Sequence, residues 1–179
     1  MSKIRILLTG GGSGGHIYTL LAVAEELKKQ AQILNLQLDL RYFGDPQEYK
    51  INFESLGIVV TRIASSKLRR YFSLLTILDL FKFLWSIPQS LFKIFWFMPD
   101  LVFSKGGPGV LAIIYACRFY HIPIIIHDSD AVPSLTTRAS AGFAAVIELA
   151  FAGAAAYFKD VSKTRIVGNP VRSSALITP

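Results

Sequence analysis

Ile4-Arg5-Ile6-Leu7-Leu8-Thr9-Gly10-Gly11-Gly12-Ser13-Gly14-Gly15-His16 is the stretch that decides the fold. Residues 4–8 are an apolar, β-branched run of the length of a buried strand. A glycine-rich loop follows, and then Leu20, Leu21, Val23, Ala24 and Leu27 recur at helical spacing over residues 17–30. Strand, glycine loop, helix is the opening unit of a Rossmann-type α/β domain. Glycines there let the backbone turn sharply and approach a ligand with no Cβ in the way. The helix start offers free N–H groups and a positive dipole end, which favour phosphate or another anion. His16 directly follows the last glycine, where an imidazole reaches a ligand held by the loop.

The spacing Gly10-x-Gly12-x-x-Gly15 also satisfies the dinucleotide fingerprint. A nicotinamide site needs an acid at the tip of the second strand, roughly 20 residues on. Asp39 falls inside the expected second strand and Asp45 just past it. Neither is well placed, and an NAD(P)-binding protein stays only as an alternative.

The remaining chain repeats the strand–helix alternation of a parallel sheet with helices on both faces. Strands are expected at 34–43, 58–63, 101–103, 124–126, 144–150 and 165–167. Helices are expected at 47–56, 110–120 and 133–143, and 151–158 reads as a small-residue turn region. In open α/β sheets, ligands bind outside the carboxyl ends of the strands. The loops at 10–16, 104–109 and 127–131 share that edge, and their convergence marks the site.

Composition bounds the function. The chain has 179 residues, enough for one domain with a substantial core. It is 52% hydrophobic and 17% charged, with a mean hydropathy of +0.44, and this is very apolar for a soluble domain. A net charge of +7 points to anionic lipid, a phosphorylated ligand or nucleic acid. Cys117, the sole cysteine, excludes an internal disulfide and reads as a buried inert thiol. His16, His121 and His127 are not spaced as metal ligands with Cys or carboxylates, so no metal or cofactor is expected. Residues 4–8 are too short for a signal peptide, so a cytoplasmic location is expected.

Residues 71–98 stand apart. They are densely aromatic and aliphatic, interrupted by Asp79, Lys82, Pro88 and Lys93. They read as two helices, or one kinked at Pro88. A membrane span needs roughly 20 mostly apolar residues with few charges. Core packing and spanning are the alternatives, but the preferred reading is interfacial. In it Phe72, Leu75, Trp85 and Trp96 enter the acyl boundary, and Arg69, Arg70, Lys82 and Lys93 face anionic headgroups. The cationic residues sit beside lipid-type aromatics rather than in a nucleic-acid-binding module, which argues against nucleic acid as a partner.

Taken together, these residues resemble the N-terminal half of the MurG family of peripheral membrane glycosyltransferases. Gly11-Gly12-Ser13-Gly14-Gly15-His16 is similar to the family's Gly-Gly-Thr-Gly-Gly-His loop, and Leu21-Ala22-Val23-Ala24-Glu25-Glu26-Leu27 to the helix that follows it. Pro99-Asp100-Leu101-Val102 resembles the family's Pro-Asp-Val-Val. Residues 121–138 resemble its Gly-Ile-Pro-Val-Val-Leu-His-Glu-Gln-Asn-Ala-Val-Pro-Gly-Leu-Thr-Asn-Arg, and Gly168-Asn169-Pro170-Val171-Arg172 matches its hinge.

The resemblance implies a GT-B enzyme of two Rossmann lobes. It adds GlcNAc from UDP-GlcNAc to undecaprenyl-pyrophosphoryl-MurNAc-pentapeptide, inverting the anomeric centre in one displacement. Residues 1–167 would be the acceptor-binding lobe, with 68–98 its membrane-associated segment. Residues 168–179 would be the hinge toward a C-terminal donor lobe supplied in cis or in trans. Ser13, Gly14, Gly15, Gly106, Gly107, His127 and Arg172 would bind substrate, and His16 and Asp130 would be the catalytic polar groups. The protein would sit peripherally on the cytoplasmic side of the cell membrane. Asp130 stands where the family motif has asparagine, which exchanges an amide donor for a carboxylate. The second glycine loop lacks the family's tyrosine and serine. The alternative function is a non-catalytic membrane recruiter or partner subunit of a split lipid-linked glycosyltransferase.

Overall fold

The computed structural model describes residues 3–11, 13–65, 74–107 and 109–172. Seven parallel strands form one sheet: β1 (Lys3–Thr9), β2 (Gln37–Gly44), β3 (Val59–Arg62), β4 (Leu101–Ser104), β5 (Ile124–Asp128), β6 (Val146–Leu149) and β7 (Thr164–Ile166). Their spatial order is β3-β2-β1-β4-β5-β6-β7. The order runs one way from β1 to β3 and the other way from β4 onward, so the topological switch lies between β1 and β4. There Leu8 registers with Phe103 and Thr9 with Ser104. The crevice at the carboxyl end of such a switch is where this architecture takes ligands. The expected doubly covered, Rossmann-like α/β fold is the observed one.

The strands bury both faces because apolar residues occupy both parities. Ile6, Leu8, Leu40, Tyr42 and Phe103 pack with Ile17, Leu20, Leu21 and Ala24 of α1 (Gly14–Ile33) and with Phe53 of α2 (Lys50–Ser55). On the other face Leu7, Phe43, Val102, Ile124 and Ile126 pack with Ile94 and Phe97 of α3 (Leu74–Phe97) and with Ile113, Ile114 and Cys117 of α4 (Val110–Phe119). A last short helix, α5 (Leu135–Ser140), is capped by Ser134, whose Oγ accepts the Thr137 amide at 3.1 Å.

Several boundaries differ from expectation, each for a local reason. α1 takes in Gly14, Gly15 and His16 as its first turn, so His16 sits within the helix rather than ahead of it. At its other end α1 runs to Ile33, and β2 begins at Gln37 rather than 34. Asn35, at φ 50°, supplies the left-handed C′ position there. The Leu36 amide reaches back to Ala31 O at 2.9 Å and the Asn35 amide to Gln32 O at 3.3 Å, which is a Schellman ending. The helix expected at 47–56 is a 3₁₀ turn (Gln47–Tyr49) followed by α2. The helix expected at 133–143 is α5 with a 3₁₀ turn, and the turn region at 151–158 contains 3₁₀ helix Ala152–Tyr157.

α3 is one helix of 24 residues that continues through Pro88, not two. Ser86, Ser90, Ile94 and Phe97 form its buried stripe, and the helix packs on α4. Three bonds fix it to its surroundings. Gln89 Oε1 accepts the Ala64 amide at 2.9 Å, Lys93 Nζ donates to Arg62 O at 2.6 Å, and Tyr120 Oη donates to Leu91 O at 3.3 Å. The opposite stripe carries Phe81, Leu84, Trp85, Phe92, Phe95 and Trp96 in the open, with Trp85 and Trp96 at 70% and 72% exposure. Among the described residues no helix is long and apolar enough to cross a membrane. Lys93, expected to face headgroups, turns its ammonium to the Arg62 carbonyl instead. Arg69, Arg70 and Phe72 lie outside the described residues, as does the side chain of Leu75.

Candidate active site

The loops after β1 and β4 meet backbone to backbone. The Gly11 amide donates to Gly106 O at 3.3 Å. An added Cβ at Gly107, whose φ is +99°, would lie 2.3 Å from the Gly11 carbonyl oxygen. Only glycine permits that approach. Tyr42, buried on β2, donates its hydroxyl to the Gly10 carbonyl and so anchors the first loop from below.

Beside this junction is a cleft of about 290 Å³ lined by Ser13, Gly15, His16, Lys105, Asp128, Ser129, Asp130 and Ser134. It draws on all three expected loops. Ser13 is the N-cap of α1 and uses no side-chain cap bond, and its Oγ lies 3.3 Å from His16 Nδ1. The Gly14 and Gly15 amides belong to the first helical turn and have no intrahelical acceptor. A Cβ at Gly15 would meet nothing nearer than Ser13 Oγ at 4.0 Å. Among the described residues a side chain there would meet no closer atom, and its absence leaves that part of the cleft wall open.

His16 Nδ1 lies 2.6 Å from the Gly11 carbonyl oxygen. A carbonyl only accepts, so Nδ1 carries the proton and Nε2 presents its lone pair. Burial pushes the imidazole below its ordinary pKa and nearby Lys105 adds to this, against the Gly11 bond, Asp130 and Asp128. The ring is therefore held neutral and basic at Nε2.

Asp128 is buried at the end of β5 and shapes the third loop. Its Oδ1 accepts the Asp130 amide at 2.9 Å and its Oδ2 the Ser134 amide at 3.3 Å. Asp130 is thereby carried into the cleft rim with its side chain exposed.

Other expected site residues stand elsewhere. His127 is fully buried and does not line the cleft; its Nε2 lies 2.9 Å from Gly168 O and its ring beside Phe103. The alternation of β5 turns it to the sheet face while Asp128 takes the cleft side. Gly106 and Gly107 are buried in the loop junction rather than along the cleft wall. Arg172 is engaged by Glu25 of α1 through Nε at 2.8 Å and through its terminal nitrogen. Conversely, Lys105, Asp128, Ser129 and Ser134 line the cleft without having been singled out. Lys105 had a readable signal: it is the lone charge between Asp100 and Arg118, placed between a buried strand and two glycines. Glu148, on β6, lines a separate apolar groove of about 500 Å³ with Leu27, Phe103, Ile125 and Val171.

Residues 6–148 match the glycosyltransferase family 28 N-terminal domain. Two relatives, each 36% identical over 96% of this chain and 46% of their own length, come from Legionella pneumophila (strain Lens) and Clostridium novyi (strain NT). Both are named UDP-N-acetylglucosamine–N-acetylmuramyl-(pentapeptide) pyrophosphoryl-undecaprenol N-acetylglucosamine transferase. The crystal structure of Acinetobacter baumannii MurG superposes with a TM-score of 0.73 at 22% identity, over 96% of this chain and 47% of that one, a likeness of fold. The chain spans about half the length of the relatives it matches.

Burial lowers the pKa of His127 from its ordinary 6.5, with Lys105 adding to the shift and the Gly168 bond opposing it. A neutral His127 donates from Nε2 and leaves Nδ1 buried without a partner among the described residues. Protonation would bury a further unpaired donor at a cost of about 1–3 kcal/mol. The unfolded chain binds the proton more readily, so stability falls as pH drops below about 6.5 and is level above it. Urea denaturation across pH 5–8 should show this slope, with His16 contributing in the same direction. His127→Gln, which keeps an Nε2 donor but cannot titrate, should flatten it. An unchanged slope in that variant would contradict the assignment.

Proposed function

Since the chain belongs to the glycosyltransferase family 28 N-terminal domain family, we propose that it is the acceptor-binding lobe of an inverting GlcNAc transferase. The reaction moves GlcNAc from UDP-GlcNAc to undecaprenyl-pyrophosphoryl-MurNAc-pentapeptide. One observation carries this reading: the unprotonated Nε2 of His16 stands beside free helix-terminal amides in a cleft at the topological switch point. That is the pairing a hydroxyl attack on a sugar diphosphate needs.

The chemistry is a single displacement. The acceptor hydroxyl gives its proton to His16 Nε2 as its oxygen bonds to the anomeric carbon of GlcNAc. The bond from that carbon to the UDP oxygen breaks, and UDP leaves with the electron pair. A base within hydrogen-bond reach is required. Asp130 at the rim is the second candidate for the proton and also holds the acceptor sugar in this scheme. The amides of Gly14 and Gly15, at the positive end of α1, face the acceptor pyrophosphate. Gly106 and Gly107 act through the loop junction, and His127 holds Gly168 at the start of the hinge. Arg172 turns from Glu25 to the donor once the donor lobe closes. Residues 1–167 are the lobe and 168–179 the hinge toward that donor lobe, in cis or in trans.

The exposed aromatic stripe of α3 is the membrane-facing surface. A contiguous apolar strip of this kind marks an interaction site. Lys82 and Arg118 are exposed on α3 and α4, and with the net charge of +7 they favour an anionic bilayer surface. Peripheral attachment on the cytoplasmic side puts the cleft where a polyprenyl diphosphate can enter.

Two tests follow. With UDP-GlcNAc and lipid-linked acceptor, the chain alone should show no turnover, whereas a complex with a donor lobe should. His16→Ala in that complex should lower kcat by about 10²–10⁴-fold and remove the acidic limb of the pH profile. Untouched turnover would favour the non-catalytic recruiter instead. In co-sedimentation, the chain should bind vesicles containing phosphatidylglycerol more tightly than neutral ones. Replacing both Trp85 and Trp96 with serine should weaken that binding by about tenfold or more. Equal binding by the variant would place the membrane surface elsewhere.

A further inference from the structure

Lys105 is 4% exposed and lines the cleft, yet among the described residues no carboxylate lies within ion-pair distance of its ammonium. The charges around it are Asp128 and Asp130, with His16 and His127 as the nearby titratable rings. Asp128 spends both oxygens on the Asp130 and Ser134 amides, and Asp130 lies exposed at the rim. A buried ammonium with no ion pair in contact is costly, even with two carboxylates nearby, and is retained where it has a partner to meet. The position is rigid. Lys105 N donates to Thr9 O at 2.9 Å, and a Cβ at Gly10 would lie 3.0 Å from Lys105 Cβ, so the first loop packs directly on this residue.

We propose that Lys105 Nζ is the cationic arm of a diphosphate-binding subsite, closing on the anion from the β4 side while the Gly14 and Gly15 amides hold it from the α1 side. This rests on the proposed transferase reading and adds a residue to its acceptor site. The same ammonium bears on His16: unpaired, it helps keep the imidazole neutral, and paired with a diphosphate it lets that ring take a proton. Substrate arrival and activation of the base are therefore coupled through one side chain. A lysine ammonium is a point-charge donor that fits a single phosphate oxygen.

The test uses the purified chain, calorimetry and three probes: inorganic pyrophosphate, farnesyl diphosphate and UDP. Wild type should bind pyrophosphate and farnesyl diphosphate. Lys105→Met should weaken both by about tenfold or more, the loss expected for one charge-assisted bond. The same variant should be as stable to urea as wild type or more so, because methionine fills the space without a buried charge. A merely structural lysine would instead lose stability and leave affinity unchanged, and that result overturns the assignment. UDP binding that depends on Lys105, with no farnesyl diphosphate binding, keeps the subsite and gives it to the donor. Wild type binding none of the three probes overturns the cleft reading itself, whereas equal binding by wild type and Lys105→Met overturns only the role of Lys105.

Discussion

One backbone hydrogen bond, from the Gly11 amide to the Gly106 carbonyl, joins the loop after β1 to the loop after β4, and the cleft depends on it. The two strands are neighbours at the topological switch, so their loops emerge side by side. Two loops bearing ordinary side chains would be held apart there. With glycine at 107 the Gly11 carbonyl comes close enough to accept from His16 Nδ1 as well. A single close approach thus fixes the register of both loops, the tautomer of the imidazole and the direction of its free nitrogen.

The electrostatics follow from that placement. Burial disfavours charge on His16 and His127 alike, and the ammonium of Lys105 reinforces the effect on both. Asp128 and Asp130 favour the charged lysine from a distance but neither forms an ion pair with it among the described residues, and Asp128 also accepts two amides of the third loop. The cleft thus combines a proton acceptor and donors to anions with two acids, Asp128 at the end of β5 and Asp130 at the rim. On the other side of the sheet the same sequence economy appears in α3. Small buried Ser86 and Ser90 lie on its inner stripe where it packs on α4, and the large aromatics of its outer stripe are left exposed. The cleft edge and the aromatic stripe are what a lobe handling a lipid-linked diphosphate would need.

The sheet was legible because strand-length apolar runs separated by glycine turns leave few alternatives, and the switch between β1 and β4 follows from the Rossmann connection alone. Helix ends were less so. Gly14 and Gly15 read as loop because glycine is a poor helix former, yet they are the first turn of α1; Asn35 ended that helix at a position the apolar spacing did not mark. Pro88 reads as a break or a kink; α3 continues through it as one helix, tethered just beyond it by Gln89, Leu91 and Lys93. Within the site, Ser13, Gly15, His16 and Asp130 were visible since each follows closely on the carboxyl end of a strand. Lys105 was marked only by being a lone charge in an apolar stretch, and the meaning of Asp128 lies in the amides it accepts. His127 looked like a ligand contact next to Asp128, and strand alternation sends it the other way, to Gly168.

Nitrogen-15 NMR of the His16 ring tests the central claim most directly. The geometry requires the neutral form protonated at Nδ1, with Nε2 bare and its resonance shifting when pyrophosphate is added. A ring protonated at Nε2, or one indifferent to pyrophosphate, would contradict it.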